Sequence, residues 1–497
     1  MWYGMAQRLQ TSAPLPSIGE AERDFLRRHP AYADTVALDE LRATDYARLD
    51  RLGHVYLDYT GGGLYGMSQI ERHRQLLAGQ AFGNPHSHSP TSLASTELVE
   101  LARAAVLRFF NADPDEYEVI FAANASGALK LVGEAYPFAP GATYLLSYDN
   151  HNSVNGIREF AHARGATVAY LPVRPDDLRL DEVQLRAALE RPAGACARPA
   201  VAGSAGYQLF AYPAQSNFSG VQHPLEWVTK AQSLGWHVIL DCAAFVPTNR
   251  LDLREVRPDF VPVSFYKMFG YPTGTGALLA RRTVLTALRR PWFAGGTITV
   301  ASVQGEGWYE PAPPPAGFED GTVDYLGLPA VTIGLEHLEK IGIETIQARV
   351  SCLAGWLLEA FAGLRHSNGA PLVRVFGPQD MDRRGATIAF YVLDPHGHPY
   401  DVYGVEAACS EHLISVRTGC FCNPGDGEVA HDLTAEDMAR CFHDRAAVVS
   451  LMQCQRVIED ATGKVPNTVR VSLGLASNFA DVYRLVEFIV GYRDRVE

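Results

Sequence analysis

The feature that most constrains this chain is a regular alternation of helical and strand-like segments between residues 95 and 260. Amphipathic helical segments such as STELVELARAAVLRFF alternate with short apolar runs such as YEVIFA, ATYLLS and WHVILD. This alternation is typical of a mostly parallel sheet that is covered by helices. Because ligands of such sheets bind at the carboxyl ends of the strands, polar residues that follow these strands are the first candidates for a functional site.

Beyond the sheet region the chain has a different organisation. A Pro-rich stretch, YEPAPPPAGFEDGT, precedes the long helical segment LPAVTIGLEHLEKIG and strands such as GATIAFYVLD and NTVRVSLG. We therefore predict an α/β protein in three parts. These are an N-terminal helical segment over 1–50 that packs with the small domain, a large domain over 51–334, and a smaller α+β C-terminal domain over 335–497.

Charge and cysteine content restrict the partners and the location. The net charge of −13 argues against a nucleic-acid or anionic-membrane surface. No apolar run reaches membrane-spanning length, and the N-terminal segment MWYGMAQRLQTSAPLP has no signal-peptide core. Eight cysteines scattered over 497 residues are not the pattern of a disulfide framework. These features predict a cytoplasmic protein in a reducing compartment, without a nucleic-acid or membrane partner.

Lys267 is the lysine best placed for chemistry. The chain has five lysines, and the other four lie on amphipathic helices or in a polar loop. In VSFYKMFGYPTGTGALLA, Lys267 lies between two apolar strands and among small residues. A lysine that forms a Schiff base must be immobile, partly desolvated and beside a loop that admits a cofactor. A surface lysine in a turn would have a similar local sequence, so both interpretations stay open on this segment alone.

Other polar residues follow the predicted strands. Asp241 ends WHVILD, where a buried carboxylate needs a partner such as a pyridinium nitrogen, although a turn aspartate would also fit. In FAANASGALK, the N–H groups of Ala125, Ser126 and Gly127 could hold a phosphate, as at many strand-to-helix turns. His151 could stack on a ring or be merely structural, and Asn217 could donate to a phenolic oxygen.

The segment RTGCFCNPGDGE contains Cys420 and Cys422. Its Gly and Pro residues predict a mobile, exposed loop, as a cysteine that carries sulfur into and out of a site requires. A metal site is an alternative, but His431 is the only further ligand nearby, and we predict no metal. A pair of buried structural thiols is the other alternative.

Together these segments resemble a known family. FAANASGALK, DNHNSV, PAQSNFSG, VILDCAAF and SFYKMFGYPTGTGALL occur in the order seen in class V, fold-type-I pyridoxal-phosphate enzymes of the cysteine desulfurase group. YLDYTGGGLYGMSQ, FGNPHSHSPTS, GFEDGT and RTGCFCNPG are similar, more narrowly, to the cysteine-desulfurase-like domain of molybdenum cofactor sulfurases. The resemblance extends from about residue 50 to 495.

The resemblance implies how pyridoxal 5′-phosphate would be held. Lys267 would bind the cofactor covalently and move the Cα proton of the substrate. Asp241 would pair with the pyridine nitrogen, His151 would stack on the ring, and Asn217 would contact the ring oxygen. The residues implied at the phosphate of the same subunit are Ala125, Ser126 and Ser264.

The resemblance also implies a substrate, a reaction and an assembly. Arg470 would bind the carboxylate of L-cysteine as a bidentate clamp. The persulfide would form on Cys422, with Cys420 as second choice, and L-alanine would be released. In a homodimer, Thr322 would reach the phosphate of the neighbouring subunit.

Some segments depart from the family pattern, and the sulfur acceptor stays open. Molybdenum cofactor sulfurases usually read GAC where this chain reads GDG, and they carry a C-terminal domain, whereas this sequence ends soon after Arg470. Ala243 and Ala244 stand near where short-loop desulfurases often have Gln. The acceptor is the molybdenum cofactor, a separate protein, or a small molecule of a sulfur-containing metabolite pathway. Another class V reaction without a persulfide, by a C–S lyase, epimerase or aminotransferase, is the alternative function.

Overall fold

The computed structural model describes residues 15–190, 207–442 and 450–496. The strands in these ranges are β1 Val55–Tyr56, β2 Tyr117–Ala122, β3 Thr143–Ser147, β4 Thr167–Leu171, β5 Gln208–Pro213, β6 Trp236–Asp241, β7 Phe260–Ser264, β8 Gly276–Arg281, β9 Ile298–Ala301, β10 Tyr309–Pro311, β11 Val373–Phe376, β12 Thr387–Val392, β13 Ile414–Ser415, β14 Arg417–Gly419 and β15 Thr468–Ser472.

The α-helices are α1 Ile18–Arg28, α2 Ala37–Thr44, α3 Arg48–Arg51, α4 Met67–Gly79, α5 Pro90–Phe109, α6 Ala125–Ala135, α7 Asn152–Asn155, α8 Ile157–Ala163, α9 Glu182–Leu189, α10 Trp227–Ser233, α11 Phe265–Phe269, α12 Arg282–Leu285, α13 Leu328–Ile341, α14 Ile343–Gly363, α15 Val402–Glu411, α16 Pro424–Ala430, α17 Ala435–Ala439, α18 Leu451–Thr462 and α19 Phe479–Val490. Short 3₁₀ helices cover Pro30–Thr35, Ala316–Phe318 and Arg440–Phe442.

The alternating region forms a seven-stranded sheet in the order β2-β8-β7-β6-β5-β3-β4. β8 is antiparallel to both of its neighbours, and the pairings from β7 to β4 are parallel. Successive side chains point to opposite faces, so that Val238 and Leu240 pack into one core and Ile239 into the other. The predicted α/β fold with a mostly parallel sheet is confirmed.

A smaller antiparallel sheet in the order β11-β12-β15-β14 follows in sequence. The N-terminal helices pack against α14 and α19. Asp39 accepts two hydrogen bonds of 2.7 Å from the buried Arg349 of α14, and the ring of Phe25 stacks on that of Phe479 of α19 at 4.7 Å. The division into domains stays a prediction, and its boundary between 334 and 335 falls inside α13.

Two cysteines form a bond that the scattered spacing did not suggest. Cys441 and Cys454 are joined by a disulfide, with their Cα atoms 5.0 Å apart. Cys441 lies on the 3₁₀ helix Arg440–Phe442 and Cys454 on α18, and the packing of these two helices brings the cysteines together. None of the helices within the described ranges has the length and apolar character that a bilayer span requires.

Candidate active site

A cavity of about 180 Å³ lies at the carboxyl end of the large sheet. Its walls come from the residues that follow β2, β3, β5, β6 and β7, as expected for a sheet of this kind. Seven of the residues predicted from the sequence line it: Ala125, Ser126, His151, Asn217, Asp241, Ser264 and Lys267. The structure therefore brings together most of the predicted cofactor site.

Lys267 stands on α11, a short helix directly after β7. The helix ends at Gly270, whose φ of 80° is left-handed, and a Cβ at this position would overlap the backbone of Leu64 and Tyr65. Desolvation lowers the pKa of Lys267, an effect that Asp241 opposes and Arg470 reinforces. A lowered pKa favours the neutral amine, which is the nucleophilic form of a lysine.

Asp241 is the last residue of β6 and is buried. Its Oδ1 atom accepts from the backbone N–H of Ala243 at 3.0 Å. Among the described residues, Asp241 forms no direct ion pair, and Lys267 and His151 interact with it only at longer range. A buried carboxylate without a direct ion pair needs a partner, and a protonated pyridine nitrogen in the cavity is a suitable one.

The N-terminus of α6 forms another wall. Asn124 caps the helix by accepting from the Gly127 N–H at 3.0 Å, and the Ala125 N–H donates to Ser264 Oγ at 2.9 Å. The hydroxyls of Ser126 and Ser153 are hydrogen-bonded at 2.6 Å. Backbone N–H groups, hydroxyls and the positive end of an eleven-residue helix suit a phosphate.

His151 and Asn217 are both held by their surroundings. His151 Nδ1 accepts from the Ser153 N–H at 3.1 Å, and burial, followed by Lys267, lowers the pKa of this imidazole. The Asn217 amide donates to the Phe421 carbonyl at 2.7 Å and accepts from Asn423 Nδ2 at 3.1 Å. Both groups of the Asn217 amide therefore bind the cysteine segment, whereas the sequence placed this side chain at the ring oxygen.

The cysteine segment is a tight turn followed by α16, whereas the Gly and Pro content predicted a mobile loop. Phe421 and Cys422 both have a φ of 56°. The Cys422 carbonyl accepts from the Asn152 N–H at 2.7 Å, and Asn423 Nδ2 donates to the Asp149 carbonyl at 2.9 Å. The sequence missed this arrangement because the partners belong to a distant part of the chain.

The two cysteines differ in exposure. Cys422 is exposed, whereas Cys420 is half-buried. Desolvation raises the pKa of the Cys420 thiol, which disfavours its thiolate. Cys422 lies close enough to Lys267 and Arg470 for its charge to raise the pKa of both.

Arg470 is buried in the centre of the small sheet, on β15. Its Nη2 donates to Asp58 Oδ1 and its Nη1 to the Asn217 carbonyl, both at 2.9 Å. Burial lowers the pKa of Arg470 to about 10, and Asp58 opposes this shift. Asp58 was not predicted as a site residue, although its position two residues after β1 was a usable signal.

The lining of the cavity that contains Lys267 does not include the predicted residues Cys420, Cys422, Arg470 and Thr322, or His431, the candidate ligand of the metal alternative. Thr322 lines a separate cavity of about 380 Å³ and accepts from Asn84 Nδ2 at 3.3 Å. His431 is buried, with Nδ1 2.6 Å from the Tyr391 hydroxyl, and burial lowers the pKa of its imidazole to about 3. In the described ranges, no group of three or more His, Cys, Asp or Glu side chains is arranged to hold a metal ion.

Two buried acids were also missed, Asp149, which lines the cavity, and Asp426. Asp149 lies 2.6 Å from His223 Nε2, and Asp426 Oδ2 accepts from Ser216 Oγ at 2.5 Å. Burial, followed by Asp149, raises the pKa of Asp426 well above its usual range. Asp149 follows β3, so its strand-end position was a signal, whereas nothing local in GDG marked Asp426 as buried.

Comparison with known families decides the class of this site. The model of the family described as aminotransferase class-V matches residues 55–485. The chain belongs to the class-V aminotransferase family. This is a family of pyridoxal-phosphate enzymes, and the cofactor of this chain is pyridoxal 5′-phosphate. The residues fit it, because they supply a partly desolvated lysine, a buried carboxylate without a direct ion pair, and a helix N-terminus.

The chain is also similar in sequence to individual proteins. The chain is 38% identical over 477 residues to the molybdenum cofactor sulfurase of Bos taurus, covering 92% of this chain and 52% of that protein. It is 34% identical over 480 residues to the molybdenum cofactor sulfurase of Arabidopsis thaliana, covering 91% and 58%. The chain spans about half the length of the curated relatives it matches.

The fold of this class-V member is shared with solved structures of cysteine desulfurases. The cysteine desulfurase from Thermococcus onnurineus NA1 superposes with a TM-score of 0.71 at 22% identity, covering 91% of this chain and 97% of that one. The cysteine desulfurase CsdA from Escherichia coli gives a TM-score of 0.69 at 21% identity, with the same coverage. The predicted resemblance and fold type are confirmed.

Proposed function

We propose that this chain is a cysteine desulfurase that removes sulfur from L-cysteine and passes it to an acceptor. The observation that carries the proposal is the position of Cys422. Cys422 is exposed, its carbonyl accepts from the Asn152 N–H at 2.7 Å, and the cavity residue Asn217 donates to the preceding carbonyl of Phe421 at 2.7 Å. The cysteine therefore stands next to the cavity that contains Lys267. The similarity to molybdenum cofactor sulfurases and the shared fold with two cysteine desulfurases support the same reaction.

The chain's own residues would hold the cofactor as follows. Lys267 would bind it covalently, Asp241 would pair with its ring nitrogen, and His151 would stack on its ring. Ala125, Ser126 and Ser264 would bind the phosphate at the N-terminus of α6. When bound, the cofactor supplies an electron sink for the bond electrons released at the substrate Cα.

The remaining roles fall to the substrate-binding and sulfur-accepting groups. Arg470 binds the carboxylate of L-cysteine, and Lys267 removes and returns protons at the carbon skeleton. The Cys422 thiolate attacks the substrate sulfur, forming an S–S bond as the Cβ–S bond breaks. The electron pair of the broken bond stays on the carbon skeleton, which takes up a proton and leaves as L-alanine, while Cys422 keeps a persulfide.

The molybdenum cofactor is the first acceptor to test, because the relatives at 33–38% identity are named molybdenum cofactor sulfurases. A separate protein and a small metabolite are the other two classes of acceptor. Transfer from purified, persulfide-loaded enzyme to each class of acceptor, followed with labelled sulfur, distinguishes them. Sulfur that reaches only a protein or a metabolite would exclude the molybdenum cofactor.

We also propose a homodimer. The segment around β9 and β10 exposes several large apolar side chains, which suits a surface covered by a second copy. They are Trp292, Phe293, Val300, Val303, Trp308 and Tyr309. Thr322 lies outside the cavity of its own chain, consistent with a role toward the neighbouring subunit. Sedimentation of the purified protein as a monomer at micromolar concentration would refute the dimer.

The function is tested by incubating the cofactor-loaded enzyme with L-cysteine and a reductant and quantifying L-alanine. We expect L-alanine from the unmodified enzyme and from Cys420→Ala, and its loss in Cys422→Ala. Pyruvate with sulfide would instead identify a C–S lyase, a D-amino acid an epimerase, and a keto acid that retains sulfur an aminotransferase.

A further inference from the structure

The turn that follows β1 was conspicuous in the sequence as YTGGG, and the cofactor roles above leave it unused. Asp58 precedes this turn, and its backbone forms a bridge with Ser472 that places it beside β15. The Gly63 N–H donates to the Tyr266 carbonyl at 3.0 Å, on the helix that carries Lys267. The turn therefore connects the small sheet to the lysine helix.

Two arginines meet at Asp58. The antiparallel register of β14 and β15 places Arg417 directly opposite Arg470. Like charges in this position repel each other unless an anion lies between them. Asp58 provides it: Oδ1 accepts from Arg470 at 2.9 Å, and Oδ2 accepts from Arg417 Nε and Nη2 at 2.8 and 2.6 Å.

The charges of this group do not balance. Two guanidinium groups face one carboxylate, which leaves one positive charge, and the Asp58 and Arg470 side chains are only 10% and 2% exposed. The buried Nε of Arg470 has no hydrogen-bond partner among the described residues. A buried cation with an unused donor requires a further anion or acceptor.

Steric fit indicates that the turn is shaped around this group. A Cβ on Gly61 would lie 2.7 Å from Arg417 Nη2 and would overlap the Asp58 carboxylate. A side chain at position 61 would therefore separate the carboxylate from the arginine. Arg417 and Arg470 also both lower the pKa of Lys267, which places their charge within reach of an amino acid bound at that lysine.

We propose that Asp58 is a positioning residue that holds Arg417 and Arg470 side by side as one site for the α-carboxylate of the substrate. Asp58 does not touch the substrate. It fixes the direction of both guanidinium groups and neutralises half of their charge, so that one carboxylate completes the cluster. The inference rests on the proposed function only in taking an amino acid as the substrate.

The test uses ligands that contain no sulfur, so that it does not depend on desulfuration. L-Alanine and ethylamine are titrated separately into the cofactor-loaded enzyme, and binding is followed by the change in cofactor absorbance. We expect the unmodified enzyme to prefer L-alanine, and Asp58→Asn to reduce this preference at least about tenfold, because charge-assisted hydrogen bonds are lost. The KM for L-cysteine should rise while kcat changes little.

Two further variants keep the outcome interpretable. Asp39→Asn removes the bidentate partner of the buried Arg349, outside the residues of the site, and should leave the preference unchanged. Arg417→Gln, at a half-exposed position, tests the same carboxylate site if Asp58→Asn does not fold. It should also reduce the preference for L-alanine over ethylamine.

The inference is overturned if the unmodified enzyme shows no preference for L-alanine, or if Asp58→Asn and Arg417→Gln both retain that preference. A failure to form L-alanine from L-cysteine would refute the desulfurase function and leave this binding result intact.

Discussion

The side chain of Asn423 donates to the main-chain carbonyl of Asp149 at 2.9 Å and so joins the cysteine segment to the end of β3. The same Nδ2 atom lies 3.1 Å from Asn217 Oδ1. Since Asn423 is the residue after Cys422, this contact fixes the backbone of the turn that carries the thiol relative to the large sheet. The cysteine is thus presented by a positioned turn, an arrangement that shortens the search for a reactive geometry.

Replacement of Asn423 by Ala tests this relationship. The change leaves the buried carbonyl of Asp149 without its donor, which costs about 1–3 kcal/mol. We expect a lower free energy of unfolding and a slower formation of L-alanine, measured by urea denaturation and by product assay. Asn368→Ala is the matched control, because its amide also donates to a carbonyl, of Pro395 at 2.7 Å, but at an exposed position. Equal effects of the two variants would contradict the role of Asn423.

Replacement of Lys267 by Ala tests the covalent attachment of the cofactor. We expect the variant to lose at least about 100-fold in kcat, since both proton transfer and cofactor attachment are removed. Borohydride should fix the cofactor to the unmodified enzyme at Lys267, as found by peptide mass spectrometry. Lys230→Ala, on the surface of α10, should behave as the unmodified enzyme. Labelling at any other lysine would refute the assignment.

Gly270 should not tolerate a side chain. Gly270→Ala combines a left-handed φ of 80° with an overlap against the backbone of Leu64 and Tyr65, and it should destabilise the protein by more than about 1 kcal/mol. Gly369, with a φ of 85° and no atom within 4 Å of its Cβ position, is the matched control for backbone strain alone. Thermal unfolding should therefore show a larger loss for Gly270→Ala, and equal losses would contradict the role of steric overlap.

The raised pKa of Asp426 should make the stability of the fold depend on pH. Because its pKa is raised in the folded protein, the fold favours the protonated acid, and this stabilisation is lost as the pH rises through the folded pKa. Asp426→Asn keeps the neutral shape, so its free energy of unfolding should fall less than that of the unmodified protein between pH 5 and pH 8. Asp34→Asn, at an exposed position, serves as the control. Parallel curves for the unmodified protein and Asp426→Asn would contradict this account.

The sequence predicted those parts of the site that follow from strand ends. Lys267, Asp241 and the start of α6 each follow a strand of the alternating region, and the sheet topology brings strand ends together. The roles of these residues remain predictions, although their common cavity is a structural finding. Composition predicted turn-forming residues in the cysteine segment, but it could not indicate the distant partners that hold the turn, such as Asn152 and Asp149.

The residues that were missed depend on long-range contacts. Asp58 and Arg470 are 412 positions apart in the chain, and their pairing follows from the bridge between Asp58 and Ser472, the last residue of β15. Asp426 is buried because α16 packs against the end of β5, where Ser216 and Ser219 contact its carboxylate. No local periodicity encodes such contacts, so single-sequence patterns could not indicate them.

The most direct test of the central claim is to trap the sulfur on the enzyme. The cofactor-loaded protein is treated with one equivalent of L-cysteine, alkylated at once and digested, and the cysteine peptides are examined by mass spectrometry. The account predicts one extra sulfur atom on Cys422, accompanied by an equal amount of L-alanine, and no extra sulfur in Cys422→Ala. L-Alanine without sulfur on Cys422, or sulfur on Cys420 alone, would contradict it.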